Sequence, residues 1–242
     1  MIHVSNNMNP ISIKIGFWST LFLAIMEISY AIGLGAIFFF FTTPTWTDIY
    51  TYSDFIKTTS GKLLTLCQIA AFAAGPLFIL LLCSLHDYVQ PEKKILTRIG
   101  ICFGVVFAVL ASMSYFVQIT VIPQNLNSGQ LNGLEQFVEI NTKSYIAAMV
   151  VLGYSLFFGL VSLFIAPIFC KGRLGKVIRY CFITCGVSSI LEIIGFYNLM
   201  LGMAFVAIAN VSLIIASILL CIFFQGLTSI STSEQIRRTT IT

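Results

Sequence analysis

The 242-residue chain is 58% hydrophobic and 9% charged, with a mean hydropathy of +0.97 and a formal net charge of +4. Soluble domains carry roughly 25% charged residues, so this chain lacks the polar surface of a soluble enzyme, a disordered tail or a nucleic-acid binder. Composition places it among multi-pass membrane proteins.

A helix needs about 20 apolar residues to cross the hydrocarbon layer. Six stretches meet that length: residues 15–41, 63–85, 96–122, 144–170, 177–197 and 200–225. They are continuously apolar rather than alternating, which predicts helices and not barrel strands. The first stretch is too long for a signal peptide and no small-residue cleavage pattern follows it, so it is expected to stay as an anchor. Pro76 and Pro167 fall inside the second and fourth stretches and predict kinks.

Basic residues at the ends of the stretches predict orientation. One side collects Lys14, Lys93, Lys94, Arg98, Lys171, Arg173, Lys176, Arg179, Arg237 and Arg238; the other has Lys57, Lys62 and Lys143. Both termini are therefore expected in the cytoplasm, with the polar connections 42–62 and 123–143 outside. The expected division is a cytoplasmic tail (1–14), a transmembrane domain (15–225) and a second cytoplasmic tail (226–242).

Between the first two stretches, Trp46, Tyr50 and Tyr52 are spaced among Thr and Asp, a composition that suits an interfacial amphipathic segment or a ligand lid. The second outer connection predicts a short surface helix around 134–140, with Glu135 and Glu139 on one solvated face. The seven cysteines lie within or beside apolar segments, unlike a secreted disulfide framework. Cys181 and Cys185, four apart on one helix face, are spaced for a metal, but small apolar packing is the simpler reading. RIGICFGVV from Arg98 and RYCFITCGV from Arg179 form a faint internal repeat of two hairpins.

Ionisable groups inside a membrane are costly and point to function. Glu27, near the midplane of the first stretch, and Glu192, toward the outer end of the fifth, lie well within helices. Neither has a Lys or Arg three or four residues away. Each must find a partner on another helix, see water or stay protonated.

Larger polar groups gather in the outer half: Gln68, Tyr115, Gln118, Tyr154 and Asn210. Helical spacing lines several of them up. Cys185, Ser188, Ser189, Glu192 and Gly195 form one stripe; Ser112, Tyr115 and Gln118 a second; Thr20, Glu27 and Tyr30 a third; Asn210 and Ser217 share a face. Such stripes predict a polar cavity in the outer half with Glu27 and Glu192 as its acids, although interhelical hydrogen-bonding glue is the plainer use of the amides and hydroxyls. Ala70, Ala71, Ala74 and Gly75, like Gly33 and Gly35, predict close helix packing.

Missing motifs narrow the chemistry. The chain has two histidines, His3 and His86. It has no HExxH, Walker A, Rossmann glycine pattern, GxSxG or aspartate-rich diphosphate motif, so no metal or cofactor is expected. His86 and Asp87 beside Lys93, Lys94 and Arg98 suit an anionic headgroup, but read more simply as a topology signal.

YFVQITVIP from Tyr115, VLGYSLFFGLVSLFIAPIF from Val151 and IRYCF from Ile178 resemble small bacterial six-pass membrane proteins of unknown function, over about half the chain (residues 115–195). The resemblance implies the fold and topology, and a bacterial inner membrane, but no activity. Those proteins often carry an acid just before the LGY; here Met149, Val150 and Val151 stand there.

The expected fold is thus an all-α polytopic bundle of six transmembrane helices. Three functions fit it. The first is binding or transport of a small amphiphilic or lipid-like molecule, with Glu27 as protonatable gate or cation partner, Glu192 as its companion, and Tyr30, Gln68, Tyr115, Gln118, Tyr154, Ser188 and Asn210 orienting the ligand. The second is an intramembrane isomerase or cyclase acting on an apolar isoprenoid-like substrate, with Glu27 and Glu192 as catalytic acid and base. The third is a structural or regulatory partner of another membrane protein. Membrane lipids are expected partners in each; nucleic acid is not.

Overall fold

A computed structural model describes residues 9–41, 46–196 and 198–239. Among them there is no strand, and the chain forms seven helices: α1 (Pro10–Phe40), α2 (Ile49–Lys57), α3 (Thr59–Tyr88), α4 (Pro91–Ser128), α5 (Tyr145–Ile168), α6 (Gly172–Gly195) and α7 (Leu199–Thr239). All but α2 are long and apolar enough to span a bilayer. The protein is an integral membrane protein of six spans, as its composition predicts.

Local sequence sets the starts. Asn9 caps α1 by accepting from the Ile11 N–H at 2.9 Å, with Pro10 in the first turn. Asp48, Thr58 and Ser144 cap α2, α3 and α5 in the same way, accepting from the backbone N–H of Thr51, Gly61 and Ala147. α4 outruns its apolar stretch and stops only at Gly129, whose φ of 72° is the left-handed conformation glycine adopts freely.

The spans form a closed up-and-down ring. Each packs on its neighbours in the chain, and α7 returns to α1. Small residues permit the closest approaches. A Cβ on Gly186 of α6 would meet the Gly159 carbonyl oxygen of α5 at 2.8 Å, and one on Gly75 of α3 would meet the Ala108 backbone of α4 at 3.3 Å. Gly33 approaches Cys67, whereas nothing approaches Gly35. Large apolar side chains such as Ile32, Phe39, Met113 and Val211 point outward, as a lipid-facing surface requires.

The two ends of the ring differ. At the basic end, the Ser12 hydroxyl donates to Asp87, His86 Nδ1 pairs with the Thr97 hydroxyl at 2.7 Å, and Lys93 Nζ donates to the Pro167 carbonyl at 2.8 Å. His86, Asp87 and Lys93 thus tie α1, α3, α4 and α5 together. The opposite end carries a cap with a small core of its own: Ile49 and Tyr52 from α2, Ile122 from α4, and Leu134 and Val138 from the α4–α5 connection, with Trp46, Phe55 and Leu131 packed around them.

This cap corrects the expectation for residues 123–143. The connection makes one 3₁₀ turn at Leu134–Phe137 instead of a surface helix, and its apolar residues other than the exposed Phe137 pack inward. Glu139, expected on a solvated face with Glu135, is carried down into the mouth of the ring.

Candidate functional site

Inside the ring, toward the cap, lies a chamber of about 210 Å³. Its floor is aromatic. Phe78, Phe107 and Phe158 touch pairwise with ring centroids 5.0–5.9 Å apart, closing the bundle beneath it. Glu27 and Tyr30 enter from α1, Tyr115 from α4, Tyr154 from α5, Ser189 and Glu192 from α6, and Asn210 from α7. Glu139 closes the chamber from the cap side.

Irregular backbone aims several of these groups. α4 widens into a π-helical stretch at Val117–Val121, just before Pro123, whose missing N–H cannot continue the regular ladder. α5 does the same at Leu152–Phe158, a segment containing Tyr154. π-bulges turn side chains off the regular helical face and are frequent at functional sites. α6 tightens at Glu192 into a 3₁₀ turn through Phe196, so Glu192 stands where the helix changes pitch.

The cap is locked to the chamber by amides. Gln68 Nε2 donates to Glu139 at 3.1 Å, and the Tyr115 hydroxyl also hydrogen-bonds this carboxylate. Gln118 holds the adjoining backbone from both sides: its Nε2 donates to the Phe137 carbonyl and its Oε1 accepts from the Glu139 N–H at 3.2 Å. Burial pushes the Glu139 carboxyl above its usual value, and the bonds from Gln68 and Tyr115 pull it part of the way back.

A second space adjoins the first. A groove of about 590 Å³ crosses the end of α6 between the starts of α5 and α7, sharing Glu139, Val150, Glu192 and Val206 with the chamber. Its walls are mainly small or apolar, including Ala147, Val151, Gly195, Gly202 and Met203, with Lys143 at the cap side. α6 and α7 can crowd here because Gly195 and Gly202 meet backbone to backbone.

Of the residues singled out in the sequence, Glu27, Tyr30, Tyr115, Tyr154, Glu192 and Asn210 line the chamber together. Gln68 and Gln118 stand one layer out and hold the cap. Ser188 is buried away from the chamber wall, and its neighbour Ser189 lines the wall instead, one helical step of about 100° around α6. Glu139 is the member that sequence reasoning missed. Its signal was the apolar content of its loop, where Leu131, Leu134, Phe137, Val138 and Ile140 are too apolar for a solvated connection.

Compared with protein-family models, curated proteins and solved structures, the chain matches none. The site must be read from its own chemistry.

Proposed function

We propose that this protein binds or transports a small amphiphilic molecule, whose polar head occupies the chamber and whose apolar part lies in the groove. The observation that carries the reading is the joining of two unlike spaces through shared walls at Glu139, Val150, Glu192 and Val206. The chamber, at about 210 Å³, is smaller than the roughly 300 Å³ at which pockets for whole drug-sized ligands begin. It accepts a head group. The groove, at about 590 Å³ and largely apolar, accepts a chain.

In this reading Glu27, Glu139 and Glu192 set the charge of the head site, Tyr30, Tyr115, Tyr154 and Asn210 orient the head, and the cap controls access. The basic residues at the far end favour a cytoplasmic placement for that end, so the chamber opens toward the opposite side of the membrane. The resemblance to bacterial six-pass proteins agrees with an inner-membrane location.

The test is equilibrium binding of tritiated dodecyl-chain probes with cationic, neutral and anionic heads to the full chain in nanodiscs. At least one head binds saturably at one per chain, and Val206→Trp, which fills the shared wall, weakens it tenfold or more while helicity is retained. Failure of all three to saturate, or binding indifferent to V206W, overturns the reading.

A further inference from the structure

The chamber brings together three carboxyl groups from three separate parts of the chain, Glu27 of α1, Glu192 of α6 and Glu139 of the cap. Among the described residues they have little to offset them. The one ion pair is Lys57–Asp54, which is exposed on α2. The one Lys or Arg lining either space is Lys143, which is exposed on the cap side of the groove and pairs with no carboxylate. Glu139 is satisfied by Gln68 and Tyr115, and Glu192 is only partly buried.

Glu27 is different. It is 8% exposed and lines the chamber, and among the described residues no hydrogen bond or ion pair reaches its carboxyl. Buried acids are ordinarily paired or hydrogen-bonded, because an unpartnered one costs several kcal/mol. An acid held at midspan without a partner, and pointed into a chamber, is a binding group waiting for one.

The remaining wall says what kind. Tyr30, Tyr115 and Tyr154 line the same space, and the rings of Tyr115 and Tyr154 meet edge to face at 6.4 Å. Tyrosine faces attract organic cations through the ring quadrupole, most strongly where water is excluded. No three His, Cys, Asp or Glu among the described residues converge closely enough to hold a metal ion. Dispersed carboxylates with intervening aromatic faces suit a bulky ammonium, whose charge is spread over its substituents, better than a compact inorganic ion.

We propose that the head group is a cationic amine, so the ligand is an amphiphilic organic ammonium with Glu27 as its principal counter-charge. Glu192 and the three tyrosines complete the head site. Glu139 makes the cap part of it, so the charge that recognises the ligand also closes over it. This rests on the amphiphile reading above and specifies the chemistry of its head.

The test compares dodecyltrimethylammonium with dodecyl maltoside and dodecyl sulfate, each tritiated, on the full chain in nanodiscs. The ammonium binds at least tenfold tighter than either chain-matched probe. Glu27→Gln removes most of that preference. Should E27Q fail to fold, E192Q gives the same comparison with a smaller loss, and the ammonium protects Glu27 of the unaltered protein from labelling by dicyclohexylcarbodiimide. If the maltoside binds as tightly as the ammonium and V206W weakens both, the amphiphile reading stands and the cation falls. If none of the three binds, both fall.

Discussion

Gln68 and Glu139 are 71 residues apart in the chain and 3.1 Å apart in the fold. That one amide–carboxylate bond joins a membrane-spanning helix to the cap and makes the α4–α5 connection a wall of the chamber. Hydrogen bonds to charged groups contribute about 1.5–3 kcal/mol, so Gln68→Leu is expected to loosen the cap. Amide exchange across 129–144 rises about tenfold or more in Q68L, while exchange in the centre of α3 stays slow. Equal exchange in both proteins would mean that the apolar cap core alone holds the loop.

The same carboxyl gives the cap a pH dependence with a defined sign. Burial raises the folded-state affinity of Glu139 for a proton above its ordinary value near 4.5, so closing the cap takes up protons as pH rises above that value. The cap is therefore firmest at low pH and loosens as pH climbs through the raised value. Asp48 behaves oppositely: the Thr51 backbone N–H holds its carboxyl below the usual range, so its cap on α2 survives until pH falls through that lowered value. Trp46, which packs on Tyr52 at 6.1 Å, reports the result. In a Trp18→Phe background its emission should shift to the red as pH climbs above 4.5, and Glu139→Gln should flatten the shift.

The spans were legible because burial in lipid leaves a compositional mark that no other environment imposes. The acids Glu27 and Glu192 were legible for the converse reason, being costly where they stand. Tyr30, Tyr115 and Asn210 followed from helical spacing, and Tyr154 from its depth in its span. Glu139 did not, because its position depends on a loop folding back over the bundle, and local spacing carries no trace of a contact with Gln68. The choice of Ser189 over Ser188 was equally hidden, since both belong to one broad stripe and only the packing of α6 against α5 decides between them.

That packing supplies a stability prediction. Gly186→Val places side-chain atoms where the Gly159 carbonyl and Leu163 already stand, at 2.8 Å from the first Cβ. Overpacking of this kind costs about 1–3 kcal/mol. Gly35→Ala, with nothing within 4 Å, should be neutral or gain up to about 1 kcal/mol from helix propensity. Thermal melts followed by helical ellipticity distinguish them; a G186V protein as stable as the parent would contradict the close α5–α6 contact.

The aromatic floor predicts a separable effect. Phe107 is buried and touches Phe78, Phe158 and Tyr154. Phe107→Ala should cost about 3–5 kcal/mol and deepen the chamber toward the basic end. Longer-headed ammonium probes should then gain affinity relative to trimethylammonium. A loss of stability with no change in head-size preference would show that Phe107 supports the bundle without bounding the site.

The most direct measurement is native mass spectrometry of the full chain released from nanodiscs, with fragmentation of whatever it retains. The account predicts one small amphiphile per chain, carrying an amine head, retained by the parent protein and lost in V206W and E27Q. A chain that emerges empty, or with a mixed lipid coat unchanged by either substitution, would contradict it.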